Sequence, residues 1–199
     1  VITPSHGTKV ASIITYGDIL QGEEVVGNKL VRVFDATVFP DTNKETIDED
    51  DLIRNIQEIV RNNCKEIKVW NLSVSIIREI TPDKFSDFAI ALDSLQDECN
   101  ILICKSAGNC TNFALGEPIG HLHEGADSVR SLVVGSLAFS SEDGDIAKKN
   151  NPSPFSRIGP GPAYIVKPDL VHFGGNACLD SKGNIKETSN PTIGMGAKT

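Results

Sequence analysis

Short β-branched apolar runs alternate with longer amphipathic segments along most of the chain. The short runs predict strands at residues 30–34, 67–75, 100–109 and 131–138. The longer segments predict helices after Thr8, at 50–64, and from Pro82 onward with Pro82 in a first helical turn. Strands joined through helices run parallel in one sheet, so we expect an α/β fold with helices on the faces of a mainly parallel sheet.

The predicted helices each have one apolar face. In the second helix and the third, the residues expected to point inward are Leu52, Ile53, Ile56, Ile59, Val60, Phe85, Phe88, Ala89, Leu92 and Leu95. The first helix is expected to end at Gly17, which suits a C′ position. We find no linker or repeat, and predict a single domain over 1–199.

Ligands of parallel α/β sheets bind beyond the carboxyl ends of the strands. In this sequence that rule selects 35–37, 71–75 and 106–109 as candidate site segments. The net charge of −8 argues against a nucleic-acid partner or an anionic membrane surface. The five cysteines form no CxxC pair, which favours free thiols and a cytoplasmic location over a disulfide framework or zinc site.

Two residues are candidates for catalytic roles. His6 lies at the start of the first helix, and Asn109 follows a predicted strand in a glycine-containing turn. A histidine at a helix start can equally serve as a cap or a core residue. An Asn beside Gly can equally be explained by turn geometry, since both residues tolerate a left-handed backbone. Taken singly, neither residue defines a site.

Their order along the chain is more informative. The blocks SHGTKVASII, VWNLSVS, KSAGN, PFSRIGP and KPDL occur in that order from Ser5 to Leu170. They resemble the HGTHVAGII, INMSLG, SAGN, FSxxGP and KPDI blocks of the subtilisin-like serine peptidases. The resemblance covers essentially the whole chain. It implies a three-layer α/β fold, with helices on both faces of the sheet, and a polypeptide substrate.

By this resemblance, His6 is the base of a Ser-His-Asp triad and Asn109 donates a hydrogen bond to the oxyanion. The substrate-binding residues that it implies are Asn71, Leu72, Ser73, Val74, Ser75, Ser106, Ala107 and Gly108. In the family, the strand edge at 71–75 pairs with the substrate backbone, an interaction that accepts any extended peptide.

The chain departs from the family pattern at several positions. Ser75 stands where the family usually has Gly, Lys9 where a second His is frequent, and VHFGG follows KPDL in place of an Ala-Pro-Gly turn. The family's Asp-Thr/Ser-Gly and Gly-Thr-Ser motifs match nothing in their expected places. We therefore expect a peptidase domain truncated at both ends, and an inactive 199-residue chain.

Three other interpretations stay open. The chain could be a non-catalytic peptide-binding module on a peptidase-like fold. His121 and His123, two residues apart, could share a metal if their segment were extended, although no third ligand is evident and we predict no metal site. The acidic run 48–51 is better explained as charge at a helix N-terminus than as a calcium loop. Calcium is frequent in the family, as is secretion, but no calcium site can be mapped and no cofactor is predicted.

Overall fold

The computed structural model describes residues 5–18, 23–24, 31–39, 47–110, 120–139, 141, 143–182 and 184. Its helices are α1 (Ser5–Tyr16), α2 (Glu49–Asn63) and α3 (Asp87–Cys99), with a 3-10 turn at Pro162–Tyr164. Its strands are β1 (Gly17–Asp18), β2 (Glu23–Glu24), β3 (Val69–Leu72), β4 (Ile76–Glu79), β5 (Leu102–Ser106), β6 (His123–Glu124), β7 (Leu132–Leu137) and β8 (Leu170–Phe173). In these ranges, no helix has the length and hydrophobicity needed to span a bilayer.

The central sheet has four strands in the order β3-β5-β7-β8. All three neighbouring pairs are parallel, with Asn71 opposite Cys104 and Ser106 opposite Val134. The carboxyl ends of these strands therefore meet at one edge of the sheet, which confirms the predicted α/β fold. Among the described strands, β3 and β8 form the two outer positions of this sheet.

Helices α2 and α3 begin where their sequences supply caps. The Asp48 side chain accepts a hydrogen bond from the Asp51 amide at 2.8 Å, and Ser86 accepts one from the Ala89 amide at 3.1 Å. These bonds satisfy amides that have no partner in a helical first turn. The acidic run 48–51 is thus a helix start, as its charge indicated.

The main core lies between these two helices and one face of the sheet. Its buried members are Leu52, Ile56, Val60, Phe88, Leu92, Leu95, Cys99 and Ile103. Apolar residues at helical spacing from α2 and α3 meet the inward face of β5, as the sequence pattern predicted. Ile103 anchors this contact on the strand, with 1% of its surface exposed.

Two predicted boundaries are wrong. Residues 31–34 of the predicted first strand form no ladder with any described strand, and Leu30 lies outside the described residues. Their segment contacts its neighbours through side chains: the Phe34 ring meets Trp70 edge to face at 6.2 Å. Pro82 is not in a helical turn, because Ser86 caps α3 and the helix starts at Asp87. Residues 31–34 have the β-propensity of a strand, but a strand in a sheet also needs a neighbouring strand to hydrogen-bond with.

Other local features were predicted or missed for clear reasons. The first helix ends at Gly17, whose φ of 79° fits the expected left-handed position. The antiparallel pairing of β4 with the two-residue β6 was missed, because 44 residues separate Glu79 from His123 in the chain and so short a strand has no periodicity.

Candidate functional site

A cavity of about 430 Å³ lies at the carboxyl ends of the parallel strands. Residues of α1, β3, β5, β7 and β8 contribute to its walls, together with Ser156. Of the predicted site residues, the cavity brings together Asn71, Ser73, Ser106, Ala107, Gly108 and Asn109. His6, Leu72, Val74 and Ser75 are not among its lining residues.

The alternation of side chains explains which residues of 71–75 reach the cavity. Asn71 and Ser73 line it, and the Asn71 amide donates to Ser73 Oγ at 2.9 Å. Leu72 and Val74 point the other way and pack against the main core. Because successive side chains of an extended segment face opposite sides, one segment can anchor in the core and still present polar groups to a ligand.

The turn after β5 depends on Gly108. Its φ of +101° lies in the left-handed region, and a Cβ there would stand 2.9 Å from His123 Nδ1 and 3.0 Å from Arg157 Cδ. Glycine is therefore required both by backbone conformation and by close packing. The turn carries Asn109 into an exposed position at the cavity, where its side chain can meet a ligand.

Arg157 holds this turn in place. Its side chain donates to the Asn109 carbonyl at 2.8 Å, to the His121 carbonyl at 2.7 Å and to the Glu79 carboxylate at 2.7 Å. Backbone bonds add to the clamp, since the Cys110 amide donates to the Phe155 carbonyl at 2.9 Å. A guanidinium has several donors in a fixed plane, so it can join three segments at once. The PFSRIGP block thus buttresses the SAGN block.

Helix α1 covers the cavity with Val10, Ile13 and Ile14. His6 precedes these residues by four, seven and eight positions, which places it on the same face of the helix. At 1.5 Å of rise per residue, it lies about 6 Å along the axis from Val10. His6 is exposed, so its imidazole stands at the N-terminal end of the stripe that lines the cavity.

Buried positive charge lies behind the cavity. Burial lowers the pKa of Lys105 to about 7, with Asp127 opposing the shift. Burial also lowers the pKa of His123 to about 4, helped by the positive charges of Arg157 and Lys105 and opposed by Glu79. His123 is therefore neutral near pH 7, whereas Lys105 is shared between its two protonation states.

The cysteine that lines the cavity is a weak nucleophile. All five cysteines are free, as predicted. Burial raises the pKa of Cys104, which lines the cavity, and so keeps it in the weakly nucleophilic thiol form.

The alternative metal interpretation has no support in the described part of the chain, where no three His, Cys, Asp or Glu side chains form a group that could hold a metal. His121 is exposed and His123 buried, so the two imidazoles do not share an environment. Sequence reasoning did not single out Lys105 and Arg157. Each lies inside a block that it did identify, KSAGN and PFSRIGP.

The fold and the site define an α/β protein with a cavity at the carboxyl ends of its parallel strands. Comparison with known families identifies the class further: the subtilase family model, peptidase family S8, matches residues 3–198. The chain therefore belongs to the subtilase family of serine peptidases. The family resemblance of its sequence blocks is confirmed.

Individual proteins similar to this chain match it at low to moderate sequence identity. The chain is 36% identical over 121 residues to the uncharacterized protein y4bN of Sinorhizobium fredii (strain NBRC 101917 / NGR234), over 49% of this chain and 28% of that protein. Among solved structures it is similar to the patellamide maturation protease PatA, with a TM-score of 0.54, 21% identity, and coverage of 96% of this chain and 60% of that one. The prenylagaramide maturation protease PagA matches with a TM-score of 0.44 and 18% identity over 75% of this chain and 44% of that one. The chain spans less than two thirds of each of these proteins.

Proposed function

We propose that these residues supply the base, the oxyanion donor and the substrate-binding edge of a subtilisin-like serine endopeptidase. The observation that carries the proposal is the cavity that joins Asn109 and the Asn71–Ser73 segment beneath α1, whose second residue is His6. The substrate is a polypeptide in extended conformation. It pairs with the exposed edge after β3 through main-chain hydrogen bonds.

In the proposed reaction, His6 takes the proton of the attacking serine and later gives it to the leaving amine. A helix N-terminus disfavours an imidazolium, so a carboxylate must stabilise the charged form. The Asn109 amide donates to the oxyanion as the tetrahedral intermediate forms. Arg157 keeps this donor in position through the Asn109 carbonyl.

The sequence has no match to the family's aspartate and serine motifs in their expected order. We therefore assign the carboxylate and the nucleophile to segments outside these 199 residues, and we expect the 199-residue chain alone to be inactive. Ser73, Ser106 and Ser156 lie in matched blocks, but the family uses none of these positions for attack.

Labelling with a fluorophosphonate probe tests the proposal. The 199-residue chain should remain unlabelled, and a longer native chain that carries both missing motifs should label. His6→Ala should abolish that labelling, because loss of the base lowers kcat about a millionfold in subtilisin itself. His121→Ala, at another exposed histidine, is the matched control and should label normally.

The same experiment decides between the enzyme and the peptide-binding module. The module is favoured by the polar strand edge and the cavity, which can bind peptide without a nucleophile. A folded longer chain that contains both motifs but resists labelling, while still binding peptides, would replace the peptidase by the binding module.

A further inference from the structure

Two cysteines lie at the C-terminal ends of the helices that form the main core. Cys64 follows the buried Val60 of α2 by four positions, and Cys99 follows the buried Leu95 of α3 by four. Residues four apart share one face of a helix. Each cysteine therefore continues an apolar stripe that faces the core, where Cys99 is a buried member and Cys64 packs against the same cluster.

The topology brings these two helix ends together. Helix α2 leads into β3 and α3 leads into β5, and the two strands are parallel neighbours. Both helices pack in one core on the same face of the sheet, so they run in the same direction. An ion pair joins their last turns, because Arg61 donates to both carboxylate oxygens of Glu98 at 2.8 to 3.1 Å. Arg61 lies one turn before Cys64, and Glu98 directly precedes Cys99.

The two thiols contact each other. Burial raises the pKa of Cys99 to about 11, and the hydrogen bond of Cys99 with Cys64 adds to that rise, whereas the charge of Arg61 opposes it. Cys64 Sγ in turn donates to the Arg61 carbonyl at 3.5 Å. The Cys99 thiol therefore keeps its proton near neutral pH and lies against the sulfur of Cys64.

The two cysteines differ in access to solvent. Cys64 is half-buried, whereas only 8% of the surface of Cys99 is exposed. Thiol–disulfide exchange requires the attacking sulfur to reach its target as a thiolate. An external disulfide therefore meets Cys64 first, and Cys99 is placed to attack the Cys64 sulfur from the core side.

We propose that Cys64 and Cys99 form a redox-sensitive pair, which closes into a disulfide between α2 and α3 when the protein meets a small-molecule disulfide. The Cys64 thiolate attacks one sulfur of the small disulfide, breaks its S–S bond and expels the other half as a thiolate, which takes a proton from water. Cys99 then loses its proton to water and attacks the Cys64 sulfur, and the second half leaves as a thiol. Two protein thiols are thus oxidised while one small disulfide is reduced to two thiols.

This disulfide would act on the fold and not on the peptidase reaction. The C-terminal ends of α2 and α3 precede β3 and β5, so the pair lies near the amino ends of these strands. The cavity lies at their carboxyl ends. A bond between Cys64 and Cys99 would close a loop of the chain and restrict the unfolded state. It should therefore stabilise the fold without entering the cavity.

Oxidation of the intact chain by glutathione disulfide tests the proposal. The protein is first fully reduced, then incubated at pH 8 with a large excess of glutathione disulfide, denatured and alkylated with a maleimide. Its mass should show the loss of two of its five thiols with no glutathione retained, and peptide mapping should link Cys64 to Cys99. The oxidised form should have a Tm about 5 to 15 °C higher than the reduced form, and dithiothreitol should reverse the rise.

Three variants separate this pair from the other cysteines. Cys64→Ser should form no internal disulfide and should show no rise in Tm on oxidation. Cys99→Ser should stop at the mixed disulfide, with one glutathione on Cys64. Cys104→Ser, at a half-buried cysteine that lines the cavity, is the matched control and should still lose two thiols. If Cys99→Ser does not fold, Cys64→Ser and the peptide map of the wild type suffice.

Four results would overturn the proposal. The wild type could keep all five thiols, or it could retain glutathione on Cys64 without closing the internal bond. Loss of two thiols could persist in Cys64→Ser, which would assign the disulfide to other cysteines. A disulfide between Cys64 and Cys99 that leaves Tm unchanged would refute the stabilising role. None of these results bears on the proposed peptidase function, which the fluorophosphonate experiment tests separately.

Discussion

The buried imidazole of His123 should make the protein lose stability between pH 6.5 and pH 4. Its pKa in the folded protein is about 4, against 6.5 for an ordinary histidine. Between these pH values His123 is protonated in the unfolded chain but largely neutral in the folded protein, so protonation favours unfolding. The pKa difference of about 2.5, at about 1.4 kcal/mol for each pH unit, gives a limiting loss of about 3.5 kcal/mol, of which about 3 kcal/mol is reached by pH 4. Well below pH 4 both states are protonated, and His123 causes no further loss.

Urea unfolding of the wild type and of His123→Asn at pH 7, 6, 5 and 4 measures this contribution. The variant cannot titrate at this position, so its free energy of unfolding should fall less steeply, by up to about 3 kcal/mol over the series. Carboxylates contribute equally to both proteins and cancel in the difference. His121→Asn, at the exposed histidine two residues away, should follow the wild type. Parallel profiles for wild type and His123→Asn would refute the assignment of the pKa shift to burial of this ring.

Three further substitutions test the site and the core. In the complete enzyme, Asn109→Leu should lower kcat about 100- to 1,000-fold with little change in KM, the magnitude known for subtilisin; an unchanged kcat would remove Asn109 from the mechanism. Gly108→Ala forces a Cβ to within 2.9 Å of a buried ring and should lower Tm, whereas Gly7→Ala, which meets nothing within 4 Å, should not. Leu92→Ala should cost about 2–5 kcal/mol of unfolding free energy, and Ile90→Ala, 51% exposed on the same helix, should cost much less.

The sequence alone determined the class of fold and the places where a site could form. Apolar spacing in α2 and α3 identified Leu52, Phe88 and Leu92 as core residues, because periodicity is a local property that survives in any helix packed on one face. The strand-then-turn pattern at KSAGN likewise located Asn109 at a strand end. These features depend on residues close in sequence, and so they can be read without the fold.

The tertiary structure alone decided which side chains meet. Residues 31–34 have the composition of a strand, yet backbone pairing depends on a neighbour that local sequence does not reveal. Arg157 reaches Asn109 across 48 positions of chain, and Lys105 reaches Ser75 across 30. Burial of Lys105 and His123, with the pKa shifts that follow, arises from segments brought together by the sheet. Charge and solvation at the site are therefore properties of the packed molecule, because they depend on distances that the order of residues does not fix.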